Sequence, residues 1–114
     1  MSELIGIARF SFKDGDVEEY KRLSVEAMEI VRTKDPGTLE YSVYLNEDES
    51  EAIVIERFRS SEALIEHGAN LAELSEKVLK TGSVEGEVLG EPSQKLTAQI
   101  AEGPVRIFKP FISL

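Results

Sequence analysis

The chain contains no cysteine, no tryptophan and one histidine, His67. Without cysteine it can form no disulfide, thiolate zinc site, iron–sulfur cluster or cysteine nucleophile. With a single imidazole, one copy of the chain cannot build a site that needs two histidines. Few residue types are therefore available for chemistry, and we predict no metal site.

Positive charge is also scarce. The sequence has 22 acidic residues against 13 basic ones, a formal net charge of −9. A surface of this sign repels a phosphate backbone and releases none of its counterions. We therefore expect no nucleic acid among its partners.

Long hydrophobic runs are missing. No apolar stretch approaches the length that spans a bilayer, and the first ten residues lack the basic start and small-residue cleavage site of a signal peptide. We expect no membrane insertion and a cytoplasmic location. A hydrophobic share of 41% in 114 residues is typical of one folded domain, covering residues 1–114.

The first half begins with a strand followed by a helix. Residues 3–12 alternate between two sets of side chains, which is the period of a strand. Residues 13–15 read as a turn, and Asp16 with Glu19 predicts a capping box before a helix from Val17. Asp35-Pro36-Gly37 ends that helix, because the residue before proline is pushed out of the helical region.

A hairpin then leads directly into a second helix. Residues 39–45 and 52–58 are rich in Tyr, Val, Ile and Phe, with a polar loop at 46–50. A serine at position 60 or 61 is placed to cap a helix over residues 61–79. Gly68, which directly follows His67, weakens the helical pattern, and in one interpretation it divides the helix into two segments.

The remaining chain predicts a strand at 84–89, a turn, a short helix at 94–101 and a β-rich segment at 105–112. Pro110 cannot donate to a ladder, so this last strand should lie at an edge.

The element order βαββαβ predicts an α+β, ferredoxin-like antiparallel sheet with helices on one face, extended by a C-terminal helix and edge strand. The strands carry apolar residues on both alternating sets, as Val54 and Phe58 against Ile53 and Ile55 show. The face without helices should therefore also be buried, and we predict a homodimer.

Several residues of this central stretch resemble the antibiotic biosynthesis monooxygenase family. They are Pro36-Gly37-Thr38, Glu40-Tyr41, Glu56-Arg57-Phe58, Ser61-Glu62-Ala63-Leu64 and His67. The resemblance covers about residues 3–90 and implies a dimeric α+β barrel, in which residues 91–114 form an extension toward the partner subunit. It also implies oxidation of a quinol or hydroxylated aromatic with dioxygen, without a cofactor. Many active relatives carry a second histidine soon after the first, which residues 68–73 lack, and the missing tryptophan argues against heme degradation.

His67 is the candidate catalytic base, because an imidazole near neutral pH can deprotonate a phenol. Its alternative role is to cap or pack a helix end. Tyr41 and Asn70 are candidate substrate-binding residues that can hydrogen-bond an aromatic ligand or an oxygen; packing and helix termination are the alternatives. Tyr41 and Tyr44 point to opposite strand faces, so only one of them can line a given pocket.

Three charged residues lie within apolar strands: Arg9, Glu56 and Arg57. As substrate-binding residues, the arginines would hold an anionic or phenolic oxygen, and Glu56 would be a pocket carboxylate with a raised pKa. For Glu56 we prefer the alternative, a salt bridge to a helix or across the dimer, with Arg9 or a group of the partner subunit among the candidate partners. For the arginines the alternative is pairing with glutamate between strands or subunits.

Two functions remain open at this point. One is a small homodimeric oxygenase acting on a quinol-like molecule. The other is a non-catalytic dimeric barrel that binds a small apolar ligand or serves as an accessory subunit. A cavity of roughly 300 Å³ or more beside His67 would favour a ligand-binding role.

Overall fold

The sheet at the centre of the structure has five strands in the order β2-β3-β1-β4-β5. The computed structural model describes residues 3–13 and 16–114. Its strands are β1 (Leu4–Phe12), β2 (Thr38–Leu45), β3 (Glu51–Phe58), β4 (Gly82–Leu89) and β5 (Val105–Phe108). Its helices are α1 (Val17–Lys34), α2 (Ser61–Asn70), α3 (Ala72–Leu79) and α4 (Gln94–Ile100). The predicted ferredoxin-like α+β fold is confirmed.

The C-terminal helix and strand add to the edge of this sheet. Strands β1 to β4 pair antiparallel, whereas β5 runs parallel to β4 after the chain passes through α4. The predicted edge position is confirmed, but β5 ends at Phe108 and does not reach residue 112. Pro110 has no N–H to donate, which is consistent with the early end of the ladder.

The register decides which side chains meet the helices. Gly6 on β1 and Tyr41 on β2 both pair with Glu56 on β3, so these three positions share one face. On the same face, Leu4 and Phe58 are fully buried. No helix of the described residues packs on the opposite face, which we call the open face.

Helix α1 covers the sheet with one apolar stripe. Leu23, Ala27 and Val31 recur at four-residue spacing and pack against Leu71 and Leu74. Burying a leucine of this kind contributes about 1.5–3 kcal/mol. None of the helices in the described part of the chain has the length and apolar character needed to cross a bilayer.

The start of α1 differs from the prediction. Asp16 makes no side-chain cap hydrogen bond, and the carboxylate of Glu19 pairs with Arg22. Asp16 has a helical backbone (φ −90°, ψ −4°) where a capping residue is usually extended. The predicted capping box is therefore wrong. Of the predicted turn at 13–15, Asp14 and Gly15 lie outside the described residues.

The second helical segment is two helices, and the division falls at Leu71, three residues after the predicted position at Gly68. Leu71 has a non-helical backbone and is buried in the cluster under α1. At the other end of α2, the Ser60 hydroxyl accepts from the backbone N–H of Ala63 at 3.2 Å, so the predicted serine cap is confirmed.

Candidate functional site

A buried acid–histidine pair joins the ends of two helices. Asp35 directly follows the last residue of α1, and His67 lies in the last turn of α2. Their side chains are 1% and 9% exposed, and His67 Nδ1 lies 2.7 Å from Asp35 Oδ2. This distance is that of a charge-assisted hydrogen bond.

Asn70 supports the same carboxylate from the next turn of α2. Its side-chain amide donates to Asp35 Oδ1 and to the backbone carbonyl of Lys34, the latter at 3.2 Å. His67 and Asn70 are three residues apart, so both side chains leave the same side of the helix. Together they supply donors to a carboxylate that lies at the negative end of α1, where the helix dipole disfavours it.

Glu56 approaches the imidazole from the sheet. Its Oε2 lies 3.4 Å from His67 Nε2, and its side chain is 18% exposed. This contact is at the long limit of a hydrogen bond, whereas the contact to Asp35 is short. Asp35 is therefore the fixed partner of the imidazole, and Glu56 is the weaker one.

Burial and charge act on the pKa of His67 in opposite directions. Burial disfavours the imidazolium and lowers the pKa, but the hydrogen bonds and negative charges of Glu56 and Asp35 raise it more. The net pKa of His67 is raised. For Tyr41, burial first and the charge of Glu56 second raise the pKa, so its hydroxyl stays neutral.

A small cavity lies beside this group. It has a volume of about 120 Å³ and lies between the sheet, α1 and α3, with His67 and Glu56 in its wall. Tyr20, Tyr41, Val54 and Leu71 form other parts of the wall. The volume is below the roughly 300 Å³ of common ligand pockets and also below the about 150 Å³ of a cavity that holds benzene, so this cavity alone does not meet the size that would favour a ligand-binding role.

Aromatic rings hold the imidazole in place. Phe58 meets the His67 ring edge-on with centroids 5.0 Å apart, and Tyr41 lies at 5.6 Å. As expected from alternation, Tyr44 points to the open face and is 58% exposed.

The two arginines proposed for substrate binding lie away from the cavity, on the open face. Arg9 pairs with Glu87 at 3.5 Å, and Arg57 pairs with Glu40 and Glu3, each at 3.2 Å. Adjacent strand residues point to opposite faces, so Arg57 cannot share the face of Glu56. Glu56 pairs with His67 of α2, which agrees with the salt bridge to a helix that we preferred from the sequence, whereas the suggested pairing with Arg9 is wrong. The two arginines pair with glutamates of neighbouring strands, as their alternative role predicted.

Asp35 is the site residue that the sequence interpretation did not include. It was assigned only to the end of α1. An acidic residue at a helix C-terminus is electrostatically unfavourable, and that mismatch was the available signal that it has another partner. Within residues 3–13 and 16–114, no group of three or more His, Cys, Asp or Glu side chains can hold a metal ion.

Comparisons with known proteins extend this description. MupZ from Pseudomonas fluorescens superimposes with a TM-score of 0.89 at 21% identity, covering 100% of this chain and 94% of that one. Rv0793 from Mycobacterium tuberculosis superimposes with a TM-score of 0.72 at 25% identity, and the match covers 82% of this chain and 98% of that one. SnoaB from Streptomyces nogalater, a cofactor-independent oxygenase, superimposes with a TM-score of 0.70 at 11% identity. The match covers 82% of this chain and 97% of that one.

The likeness to structures of such low identity establishes the fold alone. No curated protein sequence matches the chain significantly. The family model described as antibiotic biosynthesis monooxygenase matches residues 4–72, more than half of the 114 residues, and this range includes Asp35, Glu56, His67 and Asn70. The chain therefore belongs to the antibiotic biosynthesis monooxygenase family.

Proposed function

We propose that this protein is a small homodimeric oxygenase that oxidises a hydroxylated aromatic or quinol with dioxygen and needs no cofactor. The observation that carries this proposal is the 2.7 Å contact between His67 Nδ1 and the buried Asp35, with Nε2 directed to the side of Glu56 and the cavity. An imidazole held in this way is a general base.

Asp35 fixes the tautomer of that base. A carboxylate can only accept, so the proton of the neutral imidazole sits on Nδ1 and the lone pair is on Nε2. Nε2 then takes the phenolic proton, and the negative charges of Asp35 and Glu56 stabilise the imidazolium. The neutral hydroxyl of Tyr41 can donate to the substrate oxygen, and Asn70 orients Asp35.

The substrate supplies every electron that dioxygen receives. The deprotonated substrate passes one electron to dioxygen, and the resulting radical pair forms a C–O bond and a peroxide. With an anthrone-type CH₂ group, the peroxide O–O bond breaks, one oxygen remains as a carbonyl and the other leaves as water with both hydrogens. SnoaB, described as a cofactor-independent oxygenase, supports this reaction class by analogy of fold.

Oxygen uptake with a panel of quinols and anthrones tests the proposal. His67→Asn is the informative variant, because the asparagine amide can still donate to Asp35 in the position of Nδ1 but offers no base at Nε2. We expect uptake with the wild type and its loss in the variant. No uptake with any substrate, or equal uptake in the variant, would overturn the proposal; binding without uptake would favour the apolar-ligand alternative.

The pH dependence of the reaction should report His67. A protonated imidazole cannot accept a proton, so kcat/KM should rise with pH and reach half its maximum above the ordinary value of 6.5. Glu56→Gln removes one of the two charges that raise the pKa, and the midpoint should move to lower pH. A midpoint that stays constant or rises in this variant contradicts the assignment; pH–rate profiles provide the measurement.

The homodimer is supported by the open face. It carries Ile7, Ile53 and Ile55 between the Arg9–Glu87 and Arg57–Glu40 pairs, and Tyr44 at its margin. Such a face suits an interface with an apolar centre and a polar rim.

Ile55→Arg should weaken this dimer at least about thirtyfold, because a charge would be buried at the centre of the interface. Val25→Arg on the exposed side of α1 is the control and should leave it intact. Sedimentation velocity distinguishes the two, and a wild-type monomer at micromolar concentration would refute the dimer.

A further inference from the structure

A second cavity lies on the helix-covered face, on the other side of Glu56 from the first. Its volume is about 190 Å³, and it lies between β1, β4, β5, α2 and α4. Its walls are mainly apolar and include Gly6, Leu64, Val84, Gly86, Ile100 and Val105. Both glycines are closely packed, since a Cβ atom on Gly6 would lie 3.0 Å from a Glu56 carboxylate oxygen and one on Gly86 would lie 3.2 Å from the Ile7 carbonyl oxygen.

The two cavities share part of their walls. Ala8 and Glu56 line both of them. One oxygen of the Glu56 carboxylate lies 3.4 Å from His67 Nε2, and a Cβ atom placed on Gly6 would lie 3.0 Å from the other oxygen. The Glu56 carboxylate therefore lies between the two cavities and separates them, with one oxygen on the side of each.

The Glu56 carboxylate is held only weakly in this position. The 3.4 Å contact of Glu56 with His67 is long, whereas Asp35 binds the same imidazole at 2.7 Å. A substrate hydroxyl that takes the place of Glu56 at Nε2 would free the carboxylate to turn aside. The separate volumes of about 120 and 190 Å³ would then be continuous, and together they reach the lower limit of ligand pockets, roughly 300 Å³.

Most of the second cavity is built by a part of the chain that the family model does not match. The match ends at residue 72, whereas Val84, Gly86, Ile100 and Val105 follow it. The extension that contains α4 and β5 thus has a role in shaping the interior. No Lys, Arg or His is found among the described residues that line this cavity, and the two acidic residues of the lining, Glu56 and Glu87, disfavour an anion there.

We propose that the 190 Å³ cavity is a second subsite, which receives an uncharged apolar substituent of a hydroxylated aromatic whose oxygen binds at His67. The position of the aromatic ring rests on the proposed function. The substituent is an alkyl chain or a second ring, because a cavity of about 150 Å³ already holds benzene.

A series of para-alkylphenols tests the subsite by binding alone. Titration calorimetry without oxygen is carried out on the full chain with para-methylphenol, para-propylphenol and para-pentylphenol. Affinity should increase about fourfold for each methylene that enters an apolar site. An affinity that is the same for all three phenols overturns the proposal.

Val105→Phe fills the second cavity from β5, and Val25→Phe places the same change on the exposed side of α1. The first variant should bind para-methylphenol as the wild type does and lose the gain from the longer chains. The second should keep that gain. Retention of the gain in Val105→Phe overturns the proposal, and Ile100→Phe provides the same test from α4 if that variant does not fold.

The outcome is separable from that of the proposed oxidation. His67→Asn should reduce the affinity for all three phenols by the same factor, because it acts only on the oxygen. If affinity increases along the phenol series but no quinol causes oxygen uptake, the subsite proposal is supported and the proposed oxidation is overturned. If a quinol causes oxygen uptake but all three phenols bind with the same affinity, the oxidation is supported and the subsite proposal is overturned.

Discussion

Replacing Asp35 by asparagine is expected to lower kcat roughly 10²–10⁴-fold, the usual contribution of a positioned general base. The asparagine amide can donate to His67 Nδ1, which places the imidazole proton on Nε2, where the proposed reaction needs a lone pair. It also removes the charge nearest to the imidazolium. Steady-state oxygen uptake measures the loss.

Asp35 acts through His67 and is a positioning residue, so the variant should change kcat far more than KM. The pH midpoint should fall as well, because one of the two charges that raise the pKa of His67 is gone. Asp48→Asn, in the exposed hairpin loop, makes the same chemical change and should have no effect. A wild-type kcat in Asp35→Asn would exclude the base role assigned to this pair.

Much of the fold follows from local patterns. The serine before α2 and the proline after α1 set helix boundaries through backbone chemistry that involves only neighbouring residues. The division at Leu71 depends on tertiary packing under α1, which outweighs the low helix propensity of Gly68. The short β5 likewise depends on where the ladder with β4 ends.

The candidate site was less accessible from the sequence. His67, Glu56, Tyr41 and Asn70 were singled out as polar or aromatic residues in apolar elements, and the structure places them together. Which carboxylate holds the imidazole depends on how the end of α1 meets the end of α2, 32 residues later. Nothing local at Asp35 specifies that approach.

The positions of the two arginines show a second limit of prediction from the sequence pattern. Alternation requires that Arg57 and Glu56 point to opposite faces, but it does not say which face the helices cover. The covered face is the one with Leu4, Val54 and Phe58, all buried. Arg9 and Arg57 thus lie on the open face, where they belong to the proposed dimer surface.

His67→Ala is expected to lower the free energy of unfolding by about 3–5 kcal/mol, because it leaves a buried carboxylate without its charged partner. The Asp35 side chain is 1% exposed, and Asn70 would remain as its side-chain donor. The change also leaves space beside Phe58. Urea unfolding measures the loss, and His67→Asn, which retains a donor for Asp35, should lose less.

A double-mutant cycle separates the charge from the packing. Asp35→Asn with His67→Ala removes the unpaired charge, so the double variant should be more stable than the sum of the two single losses predicts. Strict additivity would show that the pair is not coupled.

The pH dependence has a definite sign. The pKa of His67 is raised in the folded state above 6.5, so the imidazolium stabilises the fold below that value and this stability is lost as pH rises through the folded pKa. The difference in unfolding free energy between wild type and His67→Ala should therefore shrink as the pH rises. A difference that grows with pH would mean that the buried imidazole is neutral and that Asp35 and Glu56 do not outweigh its burial.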